Sequence, residues 1–503
     1  MTPDRLDGGE RRLTLCLLAA VWMAVLNTAR GNVADPDLWG YMAFGRLFWE
    51  GGGFPYRDIF AYTPTLDPWV YHEWLTGVLF YPLYKHLGPA GLQALKYLMG
   101  LAAAVLIYAT ARRRGADPVS AAIILWITQL FLAIGYSPVR AQVFTYLFFG
   151  LSFYLLEGAR VQGRWAPLWA LPPLMALWCN FHGGYLAGLG LLGLYAAGEA
   201  LSRRPFLPYL GVLAASLLAT LVNPYGLKYW SYVYMAVTMP RPEIAEWVSI
   251  YRAYQLGLFA DANVYFLLMA AFAGFLALWA RWRELTPALA LGVTLYLGVK
   301  HVRHQVFFIM LCGAYLPRLL HDYLEVLRSR AGVRAVWARL GWRVPAALLA
   351  ALALINAYGF LRYGSFQIKV PPVPGLEAGS KIYYPLGGLD YLKNRGLTGK
   401  LLLEFGWGEY ALWEMYPRVR VALDGRYETV YPEEVCREYF DFIFGRPDWR
   451  RFLEHYPPDF ILLQPRTPAY QLVWEAGGWR QVYGDTGCAL FLRRGAAPVG
   501  PGG

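Results

Sequence analysis

The chain has 503 residues, 57% of them hydrophobic and only 16% charged, with 46 Lys and Arg against 34 Asp and Glu for a net charge of +12. That balance excludes an ordinary soluble globular protein, which carries more charge at this size. The basic excess does not point to nucleic acid, because the Arg residues fall in short loops between apolar stretches, where they act as topology signals.

The aromatic share of 17%, with 20 Trp and 37 Tyr, fits belts at two membrane–water interfaces. A helix needs roughly 20 apolar residues to cross the hydrocarbon core. Eleven stretches meet or approach that length, at 12–29, 91–111, 118–136, 142–157, 166–180, 184–201, 206–222, 263–280, 285–300, 304–320 and 344–363. The first lacks a small-residue cleavage site and reads as an uncleaved span. The apolar stretch 75–86 is too short to cross and is expected to lie along the membrane or to form a re-entrant helix.

Arg5, Arg11 and Arg12 precede the first span. Arg112, Arg113 and Arg114, then Arg160 and Arg164, Arg203 and Arg204, Arg281 and Arg283, and the loop from Arg318 to Arg343 fill alternate connections. These loops are expected on the cytoplasmic side, with the N-terminus. The odd number of spans then puts the C-terminal segment outside. The organisation expected is a transmembrane domain over 1–363 with a long first outer loop (30–90), a linker at 364–379 and an extracytoplasmic domain over 380–503.

In that last region the pattern shifts to short apolar runs of strand length, "LLLEF", "VRVALD", "FILLQ" and "GCALFL", separated by helix-like stretches at 385–395, 432–443 and 448–455. This alternation predicts a small α/β domain with a partly parallel sheet. "DGR" at Asp424–Arg426 reads as a turn closed by an ion pair. The five Cys show no metal spacing. Cys16, Cys179 and Cys312 lie in apolar spans as small hydrophobes, while Cys436 and Cys488 would pair only in an oxidising compartment.

The unusual polar residues gather on the expected outer face. Asp35 and Asp37 in "ADPDLW" follow the first span, where a carboxylate beside lipid is expensive and tends to be kept for function. One would act as a general base, or the two would hold a divalent cation; the plainer reading is a helix N-cap at Asp37. His72 and Glu73 open the short interfacial helix, but no second His follows four residues on, so a zinc-protease helix is excluded. Arg140, Asn180, His182 and Glu246, together with His72 and Glu73, are candidates for lining a polar substrate cavity. Lys300, His301, Arg303 and His304 in "KHVRH" place four basic side chains in five residues, against the positive-inside trend. Such a cluster suits a phosphate, with Arg303 able to bind two oxygens.

The order of these features resembles the GT-C superfamily of polytopic glycosyltransferases: one span, then a long outer loop that opens on "ADPDLW", continues with Gly53, Pro55 and Asp58, and ends in an interfacial helix. "WCNFHGGYLAGL", "NPYG" and "AEWVS" resemble bacterial glycosyltransferase-like integral membrane proteins. The resemblance implies a multi-pass enzyme of the bacterial inner membrane. Its donor would be a polyprenyl-phosphate-linked sugar and its acceptor a lipid, glycan or protein. Asp35 or Asp37 would be the base or metal ligand, and transfer would invert the anomeric carbon. The WWDYG-type motif of oligosaccharyltransferases is absent. Two other classes compete: a lipid or polysaccharide transporter or flippase, which predicts charges at mid-span and two related halves, and a non-enzymatic envelope-assembly scaffold.

Overall fold

The computed structural model describes residues 8–136, 138–330, 332, 343–373 and 382–495. Arg5, residues 331 and 333–342 of the basic loop, residues 374–379 of the linker and Ser380 lie outside the described residues. The chain divides into two compact units that do not follow chain order. One comprises Met1–Asn32, Gln93–Asn223 and Pro240–Phe366; the other comprises Val33–Leu92, Pro224–Met239 and Gln367–Gly503.

The first unit is helical. Its elements are α1 (Gly8–Thr28), the later part of α3 (Trp74–Arg113), α4 (Pro118–Tyr136), α5 (Gln142–Gln162), α6 (Leu171–Phe181), α7 (Tyr185–Leu201), α8 (Leu207–Ala219), α10 (Ile250–Gln255), α11 (Ala260–Trp279), α12 (Leu285–Lys300), α13 (Gln305–Arg328) and α14 (Arg343–Tyr363). Each of the eleven apolar stretches falls on one of these helices. Four helices are long and apolar enough to cross a membrane by themselves: Arg11–Thr28, Trp74–Arg113, Ala260–Trp279 and Arg343–Tyr363. Shorter apolar helices include Tyr185–Leu201, Leu207–Ala219 and Leu285–Lys300. Helix α13 is the spine of the unit, buried without a break from Phe308 to Pro317 and packed on α4, α11 and α12. Asn27 on α1 accepts from Arg30 (2.8 Å) and donates to Asn356 on α14 (3.1 Å), so a polar clasp sits where two apolar helices pack.

One charged knot in this unit goes beyond the topology reading of its arginines. Glu157 on α5 accepts from Arg114 (2.5 Å) and from the Tyr195 hydroxyl (2.5 Å), which also meets the Tyr315 hydroxyl (2.8 Å). Arg160 donates to Glu199 on α7 (2.8 Å) and pairs with Glu284 (2.8 Å), and Glu284 pairs in turn with Arg114 (2.9 Å). Thr286 donates to Glu199 (2.6 Å) because α7 and α12 approach closely at Gly198, where a Cβ would lie 2.6 Å from Thr286 Cα. Glu157 is fully buried and Arg114, Arg160 and Glu199 nearly so. Charges this far from water persist only when paired, so the knot ties α3, α5, α7 and the start of α12 into one arrangement.

The second unit is built on a five-stranded sheet among the described residues: β1 (Gly399–Leu403), β2 (Val419–Val421), β3 (Phe460–Leu463), β4 (Trp479–Gly484) and β5 (Ala489–Arg493), in the order β2-β1-β3-β5-β4. β1 runs parallel to β2 and β3, while β5 is antiparallel to β3 and β4. Helices α15 (Leu386–Asn394), α16 (Gly408–Met415), α17 (Glu433–Ile443), α18 (Arg450–His455) and α19 (Pro468–Glu475) fill the connections. The partly parallel α/β sheet expected from the sequence is present. β4 and α16 are not legible as apolar runs: β4 is "WRQVYG", a partly exposed edge strand. Cys436 and Cys488 are buried and are not joined by a disulfide.

The first loop belongs to this unit and closes the open edge of the sheet. Val421 donates to the Phe60 carbonyl (3.0 Å) and Tyr62 donates to the Val421 carbonyl (3.0 Å), so residues 60–62 act as a short sixth edge; Val33 bridges to Lys369 as well. α2 (Leu38–Glu50) and α9 (Lys228–Thr238) complete the unit. The apolar stretch 75–86 forms the start of α3, and the helix breaks at Gly88 (φ 63°, ψ −160°), a conformation favourable only to glycine, just before Pro89.

Glu157→Ala leaves Arg114 and Arg160 buried with one carboxylate fewer, and is expected to cost ~3–5 kcal/mol. Thermal unfolding in detergent checks this; a shift equivalent to less than ~1 kcal/mol contradicts the knot's structural role.

Candidate functional site

The site in the second unit starts at the entry to α2. Asp35 is 4% exposed, and its Oδ1 accepts the Asp37 amide (3.1 Å). The Leu38 amide bonds the Asp35 carbonyl (3.1 Å). Asp37 occupies the N-cap position, yet its side chain makes no capping hydrogen bond. Capping therefore does not account for the Asp37 carboxylate.

What that carboxylate faces comes from the C-terminal sequence. Glu409, at the start of α16, accepts the Gly40 amide on its Oε2 (2.9 Å) and is 4% exposed. A Cβ on Gly40 would lie 2.4 Å from that oxygen. A Cβ on Gly425 would lie 2.8 Å from Glu409 Oε1 and 3.4 Å from Asp37 Oδ1. Two glycines therefore make room for one buried carboxyl group beside a second. Burial, followed by the negative charges of Asp37 and Asp424, raises the Glu409 pKa well above the carboxylate range. Both effects favour the protonated form of Glu409 next to Asp37.

Gly425 is positioned by its neighbours. Arg426 forks onto Asp424 through Nε (2.8 Å) and Nη2 (2.7 Å), and reaches Asp58 through Nη1 (2.5 Å). All three side chains are essentially sealed from solvent. Tyr431 donates to Asp424 (2.6 Å), and Asp58 accepts the amides of Phe60 (3.1 Å) and Ala61 (2.8 Å). The guanidinium lies over Phe60 (5.1 Å) and Trp69 (5.0 Å). The "DGR" turn is thus the ion pair read from the sequence, with Asp58 of the first loop as an additional partner. Asp58, Asp424 and Arg426 hold the loop; Asp35, Asp37 and Glu409 are what it presents.

His72 and Glu73 lie elsewhere in this unit. His72 Nδ1 meets the Tyr232 hydroxyl (2.9 Å), its ring stacks on Tyr232 (5.4 Å), and its Nε2 is 3.5 Å from Glu73. Tyr225 accepts the Tyr71 amide (3.0 Å) one step earlier in the chain. This pair joins the first loop to α9.

In the first unit, the "KHVRH" residues surround Trp247. The guanidinium groups of Arg303 and Arg241 each lie 4.6 Å from the Trp247 ring centre. His301 Nδ1 meets the Trp247 carbonyl (2.6 Å), and the Val302 amide donates to Val248 (3.1 Å). Arg140 pairs with Glu246 (2.9 Å); that charge, with burial opposing it and Arg303 assisting, holds the Glu246 carboxyl down at about 2. The His304 ring packs edge-on against Trp247 (5.7 Å), and its buried Nδ1 has no hydrogen-bond partner among the described residues. Lys300 is exposed. His182 Nδ1 accepts the Gly184 amide (2.9 Å) and contacts Thr145 (2.8 Å), which leaves its proton on Nε2. Asn180 donates to the Ala176 (2.7 Å) and Val222 (2.8 Å) carbonyls, an amide spent on backbone.

Sequence reasoning missed Glu409, Arg241 and Trp247. Arg241 carries a signal, as another cation against the positive-inside trend. Glu409 carries none, because only folding brings it to Gly40 from 369 residues away.

With its helical unit and its small α/β sheet, the chain shares its fold with solved structures. It is similar to ArnT from Cupriavidus metallidurans bound to undecaprenyl phosphate, with 15% identity, 97% of this chain and 98% of that chain covered, and a TM-score of 0.51. The apo form of the same protein covers 95% of this chain and 97% of its own at 14% identity (TM-score 0.52). An Archaeoglobus fulgidus oligosaccharyltransferase tethered to an acceptor peptide matches 91% of this chain and 69% of its own at 12% identity (TM-score 0.52). No family model and no curated protein sequence matches the chain.

Because folding raises the Glu409 pKa above its ordinary value of 4.5, the native state holds this proton to higher pH than the unfolded chain does. Stability from this residue therefore falls as pH rises above that value. Glu409→Gln is expected to melt higher than the parent protein at pH 8, with the gap closing toward pH 4. Glu409→Ala, which strands the Gly40 amide, is expected to melt lower at both. Thermal unfolding across that range checks it; a pH-independent gap for Glu409→Gln contradicts a protonated Glu409.

Proposed function

We propose that the protein is a membrane glycosyltransferase that moves a sugar from a polyprenyl-phosphate donor to an acceptor hydroxyl on the extracytoplasmic face. The observation that carries this reading is the Asp35–Asp37 pair at the head of α2, Asp35 buried and Asp37 half-buried with no side-chain capping bond, in a chain whose fold aligns with ArnT over nearly its whole length. The undecaprenyl phosphate on ArnT supports a lipid-phosphate donor here.

In this mechanism Asp35 or Asp37 takes the proton of the acceptor hydroxyl, and the freed oxygen attacks the anomeric carbon from the side opposite the phosphate. The bond from that carbon to the phosphate oxygen breaks, and the lipid phosphate leaves with the electron pair, giving inversion. The basic group of the first unit, Arg303 and Arg241 on Trp247 with Lys300, His301 and His304, has the chemistry to hold and stabilise a lipid phosphate. The raised pKa of Glu409 works against a second negative charge beside the base. Among the described residues no three His, Cys, Asp or Glu groups are placed to hold a metal ion. A divalent cation on Asp35 and Asp37 would complete its shell with substrate oxygens and water. The N-terminus is assigned to the cytoplasm and the C-terminal domain to the outside, on the distribution of Lys and Arg.

The test is transfer from a radiolabelled polyprenyl-phosphate sugar to membrane acceptors by purified protein. The double variant Asp35→Asn, Asp37→Asn is expected to lose at least about 100-fold in rate. Arg303→Ala is expected to lower the rate more than it weakens donor binding. Full activity in the double variant would end the assignment.

A further inference from the structure

The sheet of the second unit contains a feature that the transfer reaction does not use. In the order β2-β1-β3-β5-β4, the chain leaves β1 toward β2 on one side and leaves β3 toward β4 and β5 on the other. The segments that follow the carboxyl ends of β1 and β3 therefore diverge. In open α/β sheets such a reversal makes a crevice, and ligands bind there.

The residues at this edge are unusual. Glu404, immediately after β1, accepts the amide of Gln464, immediately after β3 (3.2 Å), so one carboxyl group spans the reversal. Its Oε1 takes that bond, and burial raises its pKa to about 7. The register that pairs Leu463 with Ala489 brings the start of β5, with Cys488 and Asp485, to the same edge. Tyr383 stands there too. Its ring packs edge-on against Trp407 (5.5 Å), whose Nε1 donates to the Tyr383 carbonyl (2.9 Å). Glu404, Cys488 and Asp485 are the groups that act on its hydroxyl electrostatically. Tyr383 is 8% exposed, and its hydroxyl has no hydrogen-bond partner among the described residues. A buried hydroxyl without a partner is costly, and the cost is recovered when a ligand supplies one.

The chemistry of the edge restricts the ligand. Asp485 is negative, and its oxygens are already engaged by Tyr483 (2.7 Å) and by the amides of Gly487 and Cys488 (2.7 Å each). An anion would be repelled there. The groups left to meet a ligand are a phenol and a carboxyl group, which exchange hydrogen bonds with hydroxyls. Gly406, beside them, opens onto free space, and the Glu404–Gly406 turn is accessible from solvent.

We propose that the crevice at the carboxyl ends of β1 and β3 is a binding site for one neutral sugar residue, held by the Tyr383 hydroxyl and the Glu404 carboxyl group. It uses none of the carboxylates at the head of α2, and it does not rest on the transfer reading: sugar binding and sugar transfer are read by separate assays. The probes are the methyl glycosides of glucose, galactose, mannose and N-acetylglucosamine, titrated into the full chain in detergent and followed by saturation-transfer NMR. At least one is expected to bind. Tyr383→Phe is expected to weaken it about fivefold or more, the loss of one hydrogen bond. Because the deleted hydroxyl has no partner, the same variant is expected to keep or raise the melting temperature. Glu404→Ala is expected to weaken binding as well. Failure of all four glycosides to bind, unchanged binding in Tyr383→Phe, or a lower melting temperature in that variant would each overturn the proposal.

Discussion

The second unit depends on one cation. Arg426 is buried with its guanidinium divided between Asp424, two residues away, and Asp58, which lies 368 residues away in the first loop. A buried arginine with two carboxylates is tolerated only if its geometry is nearly ideal, and here the fork onto Asp424 and the single bond to Asp58 provide it. Asp58 in turn holds the amides of Phe60 and Ala61, which sets the loop in register against β2. Without this cation the loop would be left with its hydrogen bonds to the Val421 and Ala422 backbone at the sheet edge. Gly425 would then no longer face Asp37 and Glu409.

Around that anchor, room has been made for carboxyl groups instead of side chains. Gly40 and Gly425 each occupy positions where a methyl group would collide with Glu409. Helix α2 is buried from Leu38 to Gly45, so its head cannot shift to relieve such a collision. The burial that fixes Glu409 also raises its pKa, which works against a second negative charge beside Asp37. Packing and protonation are thus set by the same contacts. The knot of Arg114, Glu157, Arg160, Glu199 and Glu284 in the first unit follows the same logic for a structural end: buried charges that satisfy one another lock helices whose other contacts are apolar.

The helices are legible in the sequence because apolar length is a local property, and every stretch that reads as a span lies on a helix. The strands are legible where both faces are buried, as in "FILL", and not in "WRQVYG", where partly exposed polar residues hide the pattern. The Asp424–Arg426 pair is readable from a turn dipeptide, but Asp58 as its third member is not, since no local rule links residues so far apart. Asp35 and Asp37 stand out by position, while Glu409 looks like any acid at a helix start. Arg114 and Arg160 read only as topology signals because sequence shows a charge and not its partner. The Glu404–Tyr383 edge needs the strand order, which only the folded sheet supplies.

The central claim is that Arg426 holds the first loop on the sheet and thereby presents the carboxylates. Hydrogen exchange of the full chain in detergent, comparing Arg426→Met with the parent protein, tests it most directly. The account predicts faster exchange at the Phe60, Ala61 and Tyr62 amides and at the head of α2, with the helices of the first unit unchanged. Unaltered protection across residues 33–62 in the variant would contradict it.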